Sequence, residues 1–141
     1  MIVGLDVGVI SAALIGSAAG HAPARVAIQD IAIGLCASAI VAPAVVSLVE
    51  LLMRSGASSD WALERAHGVR NVCRVLDVSD EDVAQGMQLV RTVIGPRVAV
   101  TAAAFLRHGV STVVAFDHGF DAVPVLGRLP PGADVLAVTD G

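Results

Sequence analysis

Short apolar runs alternate along this chain with longer segments whose apolar residues recur at helical spacing. Three of the runs, residues 2–6, 38–42 and 112–116, have the length and composition of buried strands. A fourth run, residues 134–138, follows a Pro-Pro-Gly turn and predicts another strand. Because strands and helices alternate, the pattern predicts an α/β protein with a three-layer α/β/α fold around a central, mainly parallel sheet of four or five strands.

The segments between the runs predict six helices. They cover residues 7–16, 23–34, 43–54, 58–75, 79–95 and 98–108. Pro43 suits the first turn of the third helix, where its missing N–H costs nothing. Ser79, with Asp82 three positions later, is a candidate N-cap for the fifth helix. No repeat, low-complexity tract or linker divides the chain, so residues 1–141 are predicted to form a single domain.

One long uncharged stretch raises the question of a membrane span. Residues 31–49 carry no charge and are long enough to cross a bilayer. Pro43 interrupts them, and Asp30 and Glu50 flank them without a cluster of Arg residues. A buried strand followed by a helix explains this stretch better, and we expect no membrane association.

Charge and cysteine content narrow the class of protein. The formal net charge is −4, so bulk charge gives no support to nucleic-acid binding, which normally leaves a basic footprint. The two cysteines, Cys36 and Cys73, form no CxxC motif and have no His at metal-ligand spacing. A reduced, cytoplasmic protein is the simplest interpretation.

Three acidic residues stand at positions where a site is expected. Asp6 and Asp117 come at the ends of predicted strands, and sites in parallel α/β sheets gather beyond those carboxyl ends. Glu50 lies among apolar residues in the third helix, where a buried carboxylate would need a partner or a metal ion. The alternatives are a helix cap for Asp6, a solvent-facing position for Glu50 and a turn-forming role for Asp117.

Three segments together resemble a known family. They are MIVGLDVGVI at the start, IVAPAVVSLVELLMR in the middle and AAAFLRHGVSTVVAFDHGFDAVPVLGRL near the end. Their order and spacing resemble the PIN-domain nucleases, in particular the VapC-type toxins of bacterial and archaeal toxin–antitoxin pairs. The resemblance implies a Mg²⁺- or Mn²⁺-dependent endoribonuclease that hydrolyses RNA phosphodiester bonds as the toxin of a type II pair. It also implies an RNA substrate, an antitoxin protein as partner and a homodimer.

The resemblance also assigns roles to individual residues. The implied catalytic and metal-binding acids are Asp6, Glu50 and Asp117, with Asp121 as a further candidate ligand. From their positions beside these acids, and not from the resemblance, Arg97 and His118 are candidate substrate contacts. Carboxylate oxygens suit hard divalent cations. A metal ion held in this way can activate water and stabilise the leaving oxygen of a phosphodiester.

The sequence departs from the family pattern at three places. Val98 stands where the family has an acid, Val7-Gly8 replaces the usual hydroxyl or amide after the first Asp, and Gly119 replaces a second acid near Asp117. These departures favour the alternative of a degenerate PIN-fold protein that binds a partner protein or RNA without cutting it. Arg97, beside Val98, then contacts phosphate, replaces metal charge by pairing with an acid, or is an ordinary surface residue.

Overall fold

The computed structural model describes residues 2–133, which contain five strands, six α-helices and one short 3-10 helix. The strands are β1 Ile2–Leu5, β2 Ala37–Val41, β3 Arg74–Leu76, β4 Thr112–Val114 and β5 Gly127–Leu129. The helices are α1 Val7–Leu14, α2 His21–Ala32, α3 Ala42–Arg54, α4 Ser59–Val72, α5 Asp80–Leu89 and α6 Pro96–Arg107, and the 3-10 helix is His118–Ala122. None of the helices within these residues is long and apolar enough to cross a membrane.

The strands form one sheet in the order β3-β2-β1-β4-β5, and every neighbouring pair is parallel. With its helices the sheet forms the three-layer α/β/α arrangement, which confirms the predicted fold class. β1 lies at the centre because it pairs with β2 on one side and with β4 on the other. The carboxyl ends of these three strands therefore meet at one edge of the sheet.

Two of the five strands differ from the sequence prediction. The predicted helix 58–75 ends at Val72, and β3 begins two residues later. β5 was not predicted, and the strand predicted at 134–138 lies outside the described residues. The fifth helix is also shorter than predicted, since it ends at Leu89.

Close packing of α6 fixes the position of its first turn. The Phe105 ring of α6 is fully buried against β1, and a Cβ built on Gly4 would lie 2.8 Å from that ring. On the other side, a Cβ built on Gly86 of α5 would lie 2.8 Å from the Val100 Cα. Only glycine permits these approaches without movement of a neighbour. α6 is therefore held tightly between β1 and α5.

The ends of α5 and α6 are tied to each other. Ser79 and Asp82 form the predicted capping box: the Ser79 Oγ accepts from the Asp82 N–H at 3.3 Å, and the Asp82 Oδ2 accepts from the Ser79 N–H at 2.9 Å. Arg107, in the last turn of α6, donates to both carboxylate oxygens of the buried Asp82 at 2.8 and 3.0 Å. At its other end α6 begins at Gly95-Pro96, the arrangement that favours a helix start.

Candidate acidic site at the carboxyl edge of the sheet

Asp6 and Asp117 lie at the same edge of the sheet, as the strand ends predict. Asp6 follows β1 directly, and its N–H donates to the Val114 carbonyl of β4 at 3.1 Å. Asp117 lies just beyond β4 at the start of the 3-10 helix. Because β1 and β4 are neighbours, their register brings the two acids together.

The two acids differ in their local contacts. The Asp6 side chain is only 4% exposed. Asp6 occupies the N-cap position of α1, where its backbone carbonyl accepts from the Val9 N–H but its side chain accepts from no helix N–H. The Asp117 side chain is 46% exposed, and its Oδ1 accepts from the Gly119 N–H at 2.8 Å. Asp117 therefore has the turn-forming contact considered above, whereas Asp6 is free of the capping contact.

The guanidinium of Arg97, from the first turn of α6, lies between these carboxylates. Arg97 Nη1 donates to Asp6 Oδ1 at 2.6 Å, and Nη2 donates to Asp6 Oδ2 at 3.4 Å. Nη2 also lies 3.9 Å from Asp117 Oδ2. Burial acts to lower the pKa of Arg97, but the hydrogen bonding that Arg97 donates to Asp6 and the charges of both acids raise it above its ordinary value. The guanidinium is therefore a permanent cation within the acidic pair.

Val98 lies beside the same centre, where the family pattern has an acid. Its side chain is buried, and a Cβ built on Gly119 would lie 3.4 Å from Val98 Cγ1 and 3.0 Å from Asp117 Oδ1. The position thus faces the 3-10 helix that Asp117 begins. It contributes an apolar surface and no ligand oxygen.

Glu50 does not join Asp6 and Asp117. It is exposed on α3 and lines a groove with Leu63 and His67 of α4. Because Glu50 is exposed, no burial cost calls for a metal ion or a partner at this position. Among residues 2–133, no group of three or more His, Cys, Asp or Glu side chains is arranged to hold a metal ion. The role of Glu50 as a ligand stays a prediction.

Asp121 and His118 form a second polar cluster with a residue that the sequence did not single out. Arg128 Nε donates to Asp121 Oδ1 at 2.9 Å, and Arg128 Nη1 donates to the Ala115 carbonyl at 2.9 Å. His118 Nδ1 lies 3.1 Å from Asp121 Oδ2, and its ring is largely exposed. The hydrogen bonds from Arg128 and His118 lower the pKa of Asp121. Arg128 therefore engages Asp121, which is not a free ligand.

The donor set does not fit a divalent metal ion in this arrangement. Mg²⁺ binds oxygen ligands at about 2.1 Å and takes several at once. Both oxygens of Asp6 already accept from Arg97, and the neighbouring Val98 offers no oxygen. A divalent ion at this position would also meet the fixed charge of the guanidinium. The site is an acid–arginine centre formed by Asp6, Arg97 and Asp117.

Comparisons with known proteins agree with this architecture. The PIN domain family profile matches residues 3–126, and no protein of curated function matches the chain by sequence. VapC20 of Mycobacterium tuberculosis, described as a sarcin-ricin loop cleaving toxin, has the same fold: TM-score 0.69, 23% identity, with 86% of this chain and 94% of that chain covered.

Two further solved structures share the fold at lower identity. VapBC2 of Rickettsia felis, bound to a DNA fragment from its promoter, gives a TM-score of 0.69 at 14% identity, with 92% of this chain and 98% of that chain covered. VapBC-1 of nontypeable Haemophilus influenzae gives 0.69 at 12% identity, with 94% and 100% covered. From the profile match over most of its length, the chain belongs to the PIN domain family.

Proposed function

We propose that this chain is a VapC-like protein that acts by binding a partner protein of the antitoxin type, and that Arg97 closes its nuclease centre. The closure of the centre by Arg97 rests on one observation. The Arg97 guanidinium donates to both oxygens of the Asp6 carboxylate, at 2.6 and 3.4 Å. The guanidinium occupies the carboxylate oxygens that a divalent ion would need. In this proposal the positive charge of Arg97 neutralises the acids and keeps a divalent ion out. We call this arrangement of Asp6, Arg97 and Asp117 the closed centre, and it does not act as a metal-dependent nuclease.

Electrostatics support this interpretation. Two unit charges about 4 Å apart near a protein surface interact by about 4 kcal/mol, and a divalent ion doubles that figure. A metal ion between Asp6 and Asp117 would therefore have to displace Arg97 or bear its repulsion. The bidentate contact opposes displacement, because charge-assisted forks of this kind are among the stronger hydrogen-bonded pairs.

A separate groove, between α1, α2 and α4, supports the proposal that this chain binds a partner protein. It has a volume of about 390 Å³ and is lined mainly by apolar side chains of α1, α2 and α4, including Leu14, Ile28, Ile31 and Val72. Such a groove suits the apolar face of an amphipathic segment. Two of the structures with this fold are of VapBC pairs, which is why we infer an antitoxin-type partner. The net charge of −4 gives no corresponding support to RNA as the ligand.

A metal-dependent ribonuclease remains the second candidate. The observation in its favour is that Asp6 and Asp117 both lie within 4 Å of one guanidinium, at distances of 2.6 and 3.9 Å. Arg97 is 51% exposed, so a rotation of its side chain toward solvent would leave two converging carboxylates. The experiment below separates the two candidates.

The test is cleavage of a labelled RNA pool in Mn²⁺ or Mg²⁺ by the native chain, by Asp6→Ala and by the double variant Arg97→Ala/Val98→Asp. We expect no cleavage by the native chain. Cleavage by the native chain that Asp6→Ala abolishes would establish the ribonuclease and refute the closed centre. Cleavage by the double variant alone would support closure by Arg97 and loss of the acid at position 98.

Partner binding is tested separately by co-purification with the protein encoded next to this chain. Val72→Asp, at the rim of the groove, is expected to weaken the complex at least tenfold. Val83→Asp on α5 is the matched control, since both valines are exposed and only Val72 lines the groove. Equal affinities of the two variants would place the partner elsewhere. The predicted homodimer stays a prediction, which light scattering of the purified chain would decide.

A further inference from the structure

The acid–arginine centre joins three separate elements of the fold through one side chain. Arg97 comes from α6, Asp6 follows β1 and Asp117 follows β4. One oxygen of each carboxylate points to the same Nη2 atom, at 3.4 Å for Asp6 and 3.9 Å for Asp117. Two carboxylates that converge on one cation have the geometry of a shared cation site.

Within the part of the chain that the structure describes, the surroundings of Asp6 and Asp117 supply no second cation that could replace Arg97. A groove of about 290 Å³ leads to Arg97 and is otherwise lined mainly by apolar residues, among them Val7, Val41, Ala44 and Val100. Arg128, at the same edge of the sheet, is held by Asp121 and the Ala115 carbonyl. If Arg97 were truncated, the 4% exposed carboxylate of Asp6 would lose both hydrogen bonds that Arg97 donates to it. Burying an unpaired charge is costly, so the truncated centre would favour a bound cation.

We infer that Arg97 is an internal replacement for a divalent cation, and that its removal opens a site for one divalent ion at Asp6 and Asp117. This inference rests on the proposed closed centre and goes further, because it assigns the closure to one side chain that can be removed. The guanidinium supplies the positive charge that holds the two acids at one edge. In the native chain the positive charge of Arg97 therefore balances the two carboxylates, as a metal ion would. Unlike a metal ion, the guanidinium cannot bind and exchange water or substrate as ligands.

The matched variants follow from the contacts. Arg97→Ala removes the cation, Arg97→Gln removes the charge but retains a hydrogen-bond donor, and Arg97→Lys retains a charge. Arg91→Ala is the control, because Arg91 is exposed and, among residues 2–133, its side chain donates only to nearby backbone carbonyls. The double variant Arg97→Ala/Asp6→Asn tests whether the Asp6 carboxylate is a ligand.

The measurement is Mn²⁺ binding to the full chain, followed by the loss of the free Mn²⁺ electron paramagnetic resonance signal. We expect Arg97→Ala and Arg97→Gln to bind one Mn²⁺ per chain with a Kd at least tenfold below that of the native chain. Arg97→Lys and Arg91→Ala are expected to behave like the native chain, and the double variant is expected to lose the gain. If Arg97→Ala is unfolded, Mn²⁺ is expected to restore its folding, since a ligand of the folded state stabilises it.

The outcomes separate this inference from the proposed function. If the native chain binds no Mn²⁺ and cuts no RNA, but neither Arg97→Ala nor Arg97→Gln gains Mn²⁺ affinity or is refolded by the ion, the closed centre stands and the replacement role of Arg97 is refuted. Tight Mn²⁺ binding and RNA cleavage by the native chain would refute both. A gain that persists after Asp6→Asn would refute the assignment of the ion to this pair.

Discussion

Removal of the Arg97 guanidinium is expected to destabilise the fold, because it leaves the Asp6 carboxylate without its cationic partner. The perturbation is best made as a double-mutant cycle with Arg97→Ala, Asp6→Asn and the two together. Asp6→Asn removes the negative charge while it keeps an oxygen that accepts a hydrogen bond. The cycle isolates the interaction between the two side chains from the separate effects of each substitution.

The magnitude follows from burial. Breaking a fully buried ion pair by removal of one partner costs about 3–5 kcal/mol. Asp6 is buried but Arg97 is 51% exposed, so water can reach part of the gap and the value falls toward that of a hydrogen bond to a charged group, about 1.5–3 kcal/mol. We therefore expect Arg97→Ala to lower the free energy of unfolding by about 2 kcal/mol, with a coupling energy of about 1–2 kcal/mol.

The assay is urea unfolding at neutral pH, followed by far-UV circular dichroism. With a urea m-value of about 2 kcal/mol/M, a loss of about 2 kcal/mol lowers the midpoint by about 1 M. The control cycle uses Glu64→Ala and Arg65→Ala on α4, an ion pair with both side chains more than a third exposed. Exposed pairs contribute about 0–1 kcal/mol, so the control coupling is expected to be clearly smaller.

A coupling energy between Asp6 and Arg97 that is no larger than the control value would refute this reasoning. It would mean that water screens the attraction between Arg97 and Asp6 as strongly as it screens an exposed ion pair. The guanidinium would then be free to leave the carboxylate, and the electrostatic closure of the centre would lose its basis.

Two further predictions concern the packing and the charge of α5 and α6. Gly86→Ala is expected to destabilise the protein by about 1–3 kcal/mol in urea unfolding, because the added methyl meets backbone atoms of Val100 at 2.8 and 2.9 Å. A methyl added at Gly68 of α4 meets no atom of the described residues within 4 Å, so Gly68→Ala is expected to be neutral or stabilising. Equal effects of the two substitutions would contradict the close packing at Gly86. The hydrogen bond from Arg107 lowers the pKa of Asp82, so this pair contributes stability that is complete above the carboxylate's unfolded pKa and is lost as the pH falls through the lower folded value. The thermal midpoint of Asp82→Asn should therefore fall less steeply with acidification than that of the native chain, and parallel curves would show that Asp82 does not set the acid sensitivity.

The sequence predicted the strands that have an apolar run of their own and missed the edge strands that do not. β1, β2 and β4 are buried and could be recognised from composition. β3, with Arg74 and Val75 exposed, follows directly on a helix, and β5 is only Gly127–Leu129. Their strand conformation depends on pairing with β2 and β4, a tertiary effect that local propensity does not contain.

The positions of site residues that follow directly on strands could be predicted from the sequence. The positions that depend on the direction of a side chain could not. Asp6 and Asp117 meet because they follow neighbouring strands. The direction of Glu50 depends on how α3 rotates against the sheet and α4, which the sequence leaves open. The contact of Arg97 with Asp6 spans 91 positions, and among the three alternatives for Arg97 only the structure selects the pairing with an acid. The contact of Arg128 with Asp121 could not be recognised from the sequence, because the strand that holds Arg128 was not predicted.

The central position of β1 has a consequence for the order in which the protein can assemble. During synthesis β1 emerges first and can pair with β2, but its other partner, β4, follows only after more than a hundred residues. Until then one edge of the innermost strand is unpaired, and such an edge is a template for aggregation. Arg97 emerges 91 residues after Asp6, so the Asp6 carboxylate stays without its ion-pair partner over that length of synthesis. We therefore expect the segment from β1 to α5 to depend on chaperones until β4 has left the ribosome.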